Sequence, residues 1–328
     1  MGRPEHQIRL RCSALSDQGR VRGNNEDNIY LWGDDTQVLA VVADGMGGAV
    51  AGEKASRIAV DSIEARLVKN EDIEPDTYDK MDLDDLAVVL KHAVQEANRN
   101  IVDRAVAQPE LKGMGTTLTM AFIKGRDVTL AHVGDSRAYL VDKYDQTVMQ
   151  VTRDHSFVQA LLEAGHIRED EVETHPMRNV LYRALGQGRD LDVDIIQNVQ
   201  MAYHDRLVLC SDGLTLHLSA DEIAEIASES DDPAEIARDM IGLANKRGGR
   251  DNVSVIIVIA EPVNDVASNG TSAVSSYDGD TIIMPISTHH NNRPEKLPEN
   301  KAFDTQEIPT LDTSMREGNR EGNDSMMG

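Results

Sequence analysis

A chain of 328 residues with 40% hydrophobic content has enough apolar material for one large or two modest domains with a real core. A formal net charge of −24 argues against binding nucleic-acid phosphates or anionic membrane surfaces through bulk electrostatics, and 3% aromatic content leaves little for a base-stacking platform. The two cysteines, Cys12 and Cys210, lie in apolar runs, so buried free thiols are expected rather than a disulfide or a zinc site. Residues 1–11 carry charges where a secretory leader needs an apolar core, and no run is long enough to span a bilayer, so a cytoplasmic protein is expected.

Residues 7–15 alternate and read as a first strand, followed by the turn signal Ser16-Asp17-Gln18-Gly19-Arg20. A segment with Arg22, Glu26 and Asp27 precedes a second strand at 29–32, and Asp34-Asp35-Thr36 turns into the apolar run 38–43. That run stops at Asp44, and Gly45, Gly47 and Gly48 follow before a helical pattern that starts at Ala49 and is regular over 53–68. An acidic loop at about 70–82 leads into a long amphipathic helix, 86–106, with Asp82, Asp84 and Asp85 suited to its positive end. Strands are predicted at 116–123, 128–133, 138–141 and 148–152, separated by tight turns. This spacing favours antiparallel sheets over a doubly wound parallel one.

From Asp154 to about Gly188 the chain changes character, to short helical pieces punctuated by Gly165, Pro176, Gly186 and Gly188, and reads as a surface flap. Strands resume at 193–199 and 206–210, the latter closing on Ser211-Asp212-Gly213. Helices follow at 219–228 and 233–245, and Asp251-Asn252 opens a last strand at 253–260. Beyond Pro262 the sequence is polar, acidic and low in apolar residues apart from 282–286, a composition that predicts disorder.

Apolar strands thus deliver Asp44, Asp135 and Asp212 at their ends, and Asp251 immediately precedes another. Each alone is well explained as a turn residue. Together they form an oxygen-donor set suited to hard cations such as Mg²⁺ or Mn²⁺, enough for two adjacent ions with one carboxylate bridging. Clustered acids without a cation raise each other's pKa, and a water shared between two ions loses a proton near neutral pH and can attack phosphorus in line. Arg22 fits a bidentate phosphate clamp, and Glu26 fits the ordering of a metal-held water.

The ordered set of segments resembles the PPM-type (type 2C) metal-dependent protein serine/threonine phosphatases, in their bacterial branch. It comprises Ser16-Asp17-x-Gly19, Arg22 with Asn25-Glu26-Asp27, Asp44-Gly45-Met46-Gly47-Gly48 and Gly113-Met114-Gly115-Thr116-Thr117. Further on come Gly134-Asp135-Ser136-Arg137, Asp154-His155-Ser156, Ser211-Asp212-Gly213 and Asp251-Asn252-Val253-Ser254. The resemblance implies an α+β fold, a four-layer αββα sandwich of two packed antiparallel sheets flanked by helix pairs, with a metal cleft at one end. It implies a catalytic domain over residues 1–262, a flap at about 157–188 and a separate tail at 263–328. By position, Asp44 would bridge two Mn²⁺ or Mg²⁺ ions, the Gly45 carbonyl would bind one, Asp212 and Asp251 would hold the other, and Asp135 with Asp212 would form a weaker third site. Arg22 would hold the phosphate and Glu26 would bond a metal-held water. The implied activity is hydrolysis of phosphoserine and phosphothreonine in proteins, opposing a Ser/Thr kinase. One departure stands out: animal members carry a His after the Asp-Gly as a proposed proton donor, and this chain has Met46 there.

Other readings fit less well. A dinucleotide fingerprint fails because Val50 stands where its third glycine belongs, and a serine-esterase reading of Gly134-Asp135-Ser136 lacks the required Asp-x-x-His pair. His155 beside Ser156 reads as structural. A phosphoprotein-binding module that keeps the fold without turnover is the alternative, and it would be signalled by loss of a bridging acid, whereas all the acids are present. In the tail, Thr281, Thr305, Thr310 and Thr313 lie in acidic surroundings and are candidate docking points, once phosphorylated, for a phosphothreonine-reading domain.

Overall fold

The computed structural model describes residues 8–70, 77–172 and 174–263. The chain opens with strands β1 (Ile8–Asp17), β2 (Asn28–Gly33), β3 (Gln37–Ala43) and the two-residue β4 (Gly45–Met46). Helices α1 (Ala49–Leu67), α2 (Thr77–Lys80) and α3 (Leu83–Ala107) come next. Then follow β5 (Gly115–Thr116), β6 (Leu118–Lys124), β7 (Asp127–Val133), β8 (Arg137–Val141) and β9 (Val148–Gln150). Short helices α4 (Phe157–Glu163) and α5 (Glu169–Val172) lead to β10 (Asp194–Gln200) and β11 (Arg206–Cys210). Helices α6 (Asp212–Thr215), α7 (Ala220–Glu229) and α8 (Pro233–Lys246) precede the last strand, β12 (Val253–Pro262).

Two five-stranded sheets result, in the orders β1-β12-β11-β8-β9 and β10-β7-β6-β3-β2, and every neighbouring pair is antiparallel. The apolar run of β3 explains the layering. Leu39, Val41 and Ala43 pack on Ala55, Ala59 and Ile63 of α1 and on Leu90 and Val94 of α3. The alternate residues, Val38, Ala40 and Val42, face Leu207, Leu209, Ile256 and Val258 of the other sheet. A central strand covered on both faces reads as a continuous apolar run rather than an alternating one. On the far side, Val208, Val255 and Ile257 meet Ile223 of α7 and Ile236 and Met240 of α8. Helix pair, sheet, sheet and helix pair make the expected four-layer α+β sandwich. Truncating a fully buried member such as Leu39 to alanine should cost about 2–5 kcal/mol.

Local signals set the helix ends. Asp82 caps α3 by accepting from the Asp85 N–H, Ser219 and Glu222 form a reciprocal capping box on α7, and Pro233 follows the Asp232 cap of α8. Both cysteines are free thiols, Cys12 half-buried and Cys210 buried. The expected flap holds α4 and α5, yet its exit is not superficial: Leu185 is fully buried in the α1–α3 core and pairs with Thr116. The ribbon of β4 and β5 was not foreseen, since a two-residue pairing has no periodicity to read. Part of the acidic loop and all of the tail beyond Val263, with the candidate docking threonines Thr281, Thr305, Thr310 and Thr313, lie outside the described residues.

Candidate active site

The strand ends gather at one cleft. Asp44 follows β3 and is fastened through its backbone: its N–H donates to Thr117 Oγ1 (3.0 Å), and its carbonyl accepts from the Thr117 N–H (2.9 Å) and Thr116 Oγ1 (2.8 Å). Thr117 Oγ1 also meets Ser136 Oγ at 2.7 Å, which links this strand end to the turn holding Asp135. That turn requires glycine at position 134, where φ is +116° and a Cβ would lie 2.6 Å from Thr117. Asp212 opens α6 directly after β11, and Asp251 stands just before β12.

Arg22 and Glu26 come from the β1–β2 loop, which Asn252 clasps. The Asn252 Oδ1 accepts from the Glu26 N–H (2.8 Å), and its Nδ2 donates to the carbonyls of Gln18 and Asn24 (both 2.9 Å). Gly45 packs so closely on the Glu26 carbonyl that a Cβ there would lie 2.6 Å from its oxygen. The Glu26 carboxylate in turn lies over Gly52 of α1, whose missing side chain leaves it room. Arg22 donates from Nη2 to Asp251 Oδ2 at 2.6 Å, with the arginine side chain 47% exposed.

Burial holds the Asp44 carboxyl well above the ordinary carboxylate value, with Asp27, Asp212 and Asp135 pushing in the same direction. The side chain of Asp212 is among the groups that raise Asp44. Burial also raises Asp135, with Asp212 and Asp154 adding to it, and raises Asp212, with Asp251 adding to it. Glu26 is raised by burial, which outweighs the lowering effect of Arg22. Among the described residues no group of three such side chains is placed to hold a metal ion. The acids engage in pairs instead, Asp44 with Asp212 and Asp251 with Arg22. This donor set fits hard divalent ions that keep several waters and take few carboxylates each. A cation among these acids would relieve their mutual repulsion.

Of the seven residues singled out from the sequence, Gly45 lies on β4 and Asp212 opens α6, while Arg22, Glu26, Asp44, Asp135 and Asp251 lie on loops, and the fold brings them to this end of the sandwich. Two more were not singled out. Asp27 is buried, its Oδ2 accepts from Ser211 (2.8 Å) and Ser254 (2.7 Å), and its Oδ1 has no partner. Burial pushes its carboxyl up to about 7, with Asp212 and Asp251 contributing. Asn252 is the second. The signal for both was adjacency, since each follows a selected acid in a quoted motif. His155, read as structural, is buried and hydrogen-bonded on both ring nitrogens.

A sandwich that gathers acids from both sheets, with the half-exposed Arg22 beside them, has the donor types that hard cations and a phosphate ester require. The protein phosphatase 2C family profile matches residues 20–251. The serine/threonine phosphatase stp of Listeria monocytogenes is 39% identical over 244 residues, covering 74% of this chain and 93% of its own. The serine/threonine protein phosphatase PstP of Mycobacterium tuberculosis is 36% identical over 308 residues, 94% of this chain and 56% of its own. A solved structure of the catalytic domain of PstP in complex with two manganese ions superposes with a TM-score of 0.65 at 35% identity, covering 77% of this chain and 99% of that one. The chain belongs to the protein phosphatase 2C family and is a protein serine/threonine phosphatase.

Proposed function

We propose that the cleft hydrolyses phosphoserine and phosphothreonine in proteins with Mn²⁺ or Mg²⁺, and that the residues divide the work as follows. Asp44, the Gly45 carbonyl, Asp212 and Asp251 would hold two ions, and Asp135 with Asp212 would hold a weaker third. Bound there, the ions neutralise phosphate charge and acidify water near neutral pH. Arg22 exchanges its bond to Asp251 for the substrate phosphate, which it grips as a charge-assisted pair. Glu26, raised by burial yet within reach of Arg22's field, accepts a hydrogen bond from the attacking water and orients it in line with the departing alcohol. The Asn252 clasp keeps that loop in register with Asp251.

The observation that carries this reading is the convergence of Asp44, Asp135 and Asp212, each raised by burial and by other acids of the cleft. Release of phosphate from a phosphothreonine peptide should require Mn²⁺ or Mg²⁺, and Asp212→Asn should remove most turnover while circular dichroism shows an intact fold. Activity that survives chelator would sink it.

Residues 1–262 would be the catalytic domain of a cytoplasmic enzyme that opposes a Ser/Thr kinase, with 157–188 as the flap beside the cleft. Among the described residues no helix is long and apolar enough to cross a membrane. The tail supports a partner role through a repeated pattern: Asp280-Thr281 and Asp304-Thr305 are each followed three residues on by an apolar residue and then proline, Met284-Pro285 and Ile308-Pro309. Phosphorylated there, the tail would dock a phosphothreonine-reading domain. Phosphosite mapping after incubation with a threonine kinase decides this, and unmodified threonines retire it.

A further inference from the structure

His155 is 1% exposed, and it joins three separate parts of the chain. Its backbone N–H donates to the Gly134 carbonyl at 2.7 Å, and its carbonyl accepts from the Tyr182 N–H at 3.0 Å. The ring Nδ1 lies 3.0 Å from the Gly134 nitrogen, and Nε2 lies 3.1 Å from Asp194 Oδ2. The Gly134 N–H can only donate, so Nδ1 is the bare nitrogen and Nε2 carries the proton toward Asp194. Arg183 Nη1 comes within 3.2 Å of Nε2 but is itself engaged with Asp194 Oδ1 at 2.5 Å. His132 and Tyr182 back the ring, with centroids 4.9 and 5.7 Å away. Burial lowers the pKa of His155, in keeping with a neutral ring.

A single residue therefore grips both backbone groups of Gly134, which sits at φ +116° immediately before Asp135. Gly134 has no side chain of its own to hold that conformation. The opposite edge of the ring is tied to β10 through Asp194 and, through Arg183, to the exit of the flap.

We propose that His155 is a positioning residue that fixes the Gly134–Asp135 turn and so sets the Asp135 carboxyl for its metal, with the flap exit bracing it through Arg183 and Asp194. The proposal rests on the reading of Asp135 as a metal ligand. His155 touches neither substrate nor metal in this role. It orients a ligand through the backbone, as outer partners of metal ligands do.

Two substitutions separate its ring nitrogens. His155→Asn places an acceptor oxygen near the position of Nδ1 and keeps the Gly134 bond, whereas His155→Gln reaches the position of Nε2 and loses it. Mn²⁺ affinity of the full chain is read by calorimetry, and the Mn²⁺ concentration for half-maximal phosphatase activity is read alongside it. His155→Gln should raise that concentration about 10-fold or more, and His155→Asn about threefold or less. Equal behaviour of the two, or a lowered melting temperature with an unchanged Mn²⁺ requirement, overturns the proposal. If His155→Gln does not fold, Asp194→Ala, which frees the ring only at Nε2, must shift the Mn²⁺ requirement about threefold; no shift overturns the bracing. Asp135→Asn is the control. If it leaves Mn²⁺ binding unchanged, the assignment of Asp135 itself is wrong, a result distinct from failure of the histidine variants alone.

Discussion

On the sheet of β3 and β6, the acid at the strand end is fastened through its own backbone, by Thr116 and Thr117. On the sheet of β11 and β12, the corresponding acid Asp251 is fastened through its carboxylate, to the half-exposed Arg22 at 2.6 Å. The first arrangement leaves the Asp44 carboxyl uncommitted to any cation while fixing where it starts. The second is an ion pair at the mouth of the cleft, and exposed pairs contribute only about 0–1 kcal/mol. On the proposed assignment, such a pair would give way easily as an ion took the carboxylate and a phosphate took the guanidinium. One side of the cleft would then be preset and the other would exchange partners on loading.

The preset side should be the more sensitive to change. Asp44→Asn should reduce turnover by more than about 100-fold, because the residue expected to face both ions loses its charge. Metal-free stability should move the opposite way. A carboxyl whose folded pKa is raised keeps its proton in the native state and releases it on unfolding, so stability falls as pH rises through that window. For Asp27 the window runs from the ordinary 3.8 to about 7. Thermal melts in chelator should therefore show falling stability from about pH 4 to pH 7. Asp44→Asn should flatten the decline and added Mn²⁺ should abolish it. A flat profile in the unaltered protein would show that these acids do not strain the metal-free fold.

The exchanging side should respond in binding rather than in turnover. Arg22→Ala should raise KM for a phosphopeptide about 10-fold and change kcat less than about threefold, since a phosphate grip is present in ground and transition states alike. Its melting temperature should scarcely move, as the bond to Asp251 is half-exposed. A fall in kcat larger than the rise in KM would place Arg22 with the reacting atoms instead.

The contrast also marks what could be read from residues alone. The buried strand β3 and its terminal Asp44 were legible because both faces of the strand are covered and a glycine turn must follow. The acids at the other strand ends were legible for the same local reason. The clasp of Asn252 on the Glu26 backbone, the seat of Asp27 between Ser211 and Ser254, and the hold of His155 on Gly134 were not. These join residues tens to hundreds of positions apart through one or two hydrogen bonds each, which leave no periodicity and no composition signal. The flap exit was misjudged as superficial for a related reason. One leucine, Leu185, anchors it in the core, and one apolar residue among turn formers does not mark a buried segment.

Met46 belongs to the preset side, and the smallest effect is expected there. It sits on β4 opposite Gly115 in the ribbon with β5, half-buried. A Cβ on Gly115 would touch its Cγ and Sδ at 3.5 and 3.8 Å, so the thioether lies flat over that glycine. A thioether has no proton to give, and leucine fills nearly the same volume. Met46→Leu should therefore leave kcat/KM within about threefold and the pH profile unmoved. A kcat loss beyond about 10-fold at constant KM would mean that the sulfur contacts the reacting group, and the departing alcohol's surroundings would then include this side chain. An unmoved profile leaves the protonation of that alcohol to water or to the raised carboxyls of the cleft, Glu26 and Asp27 being the nearest in sequence to Arg22.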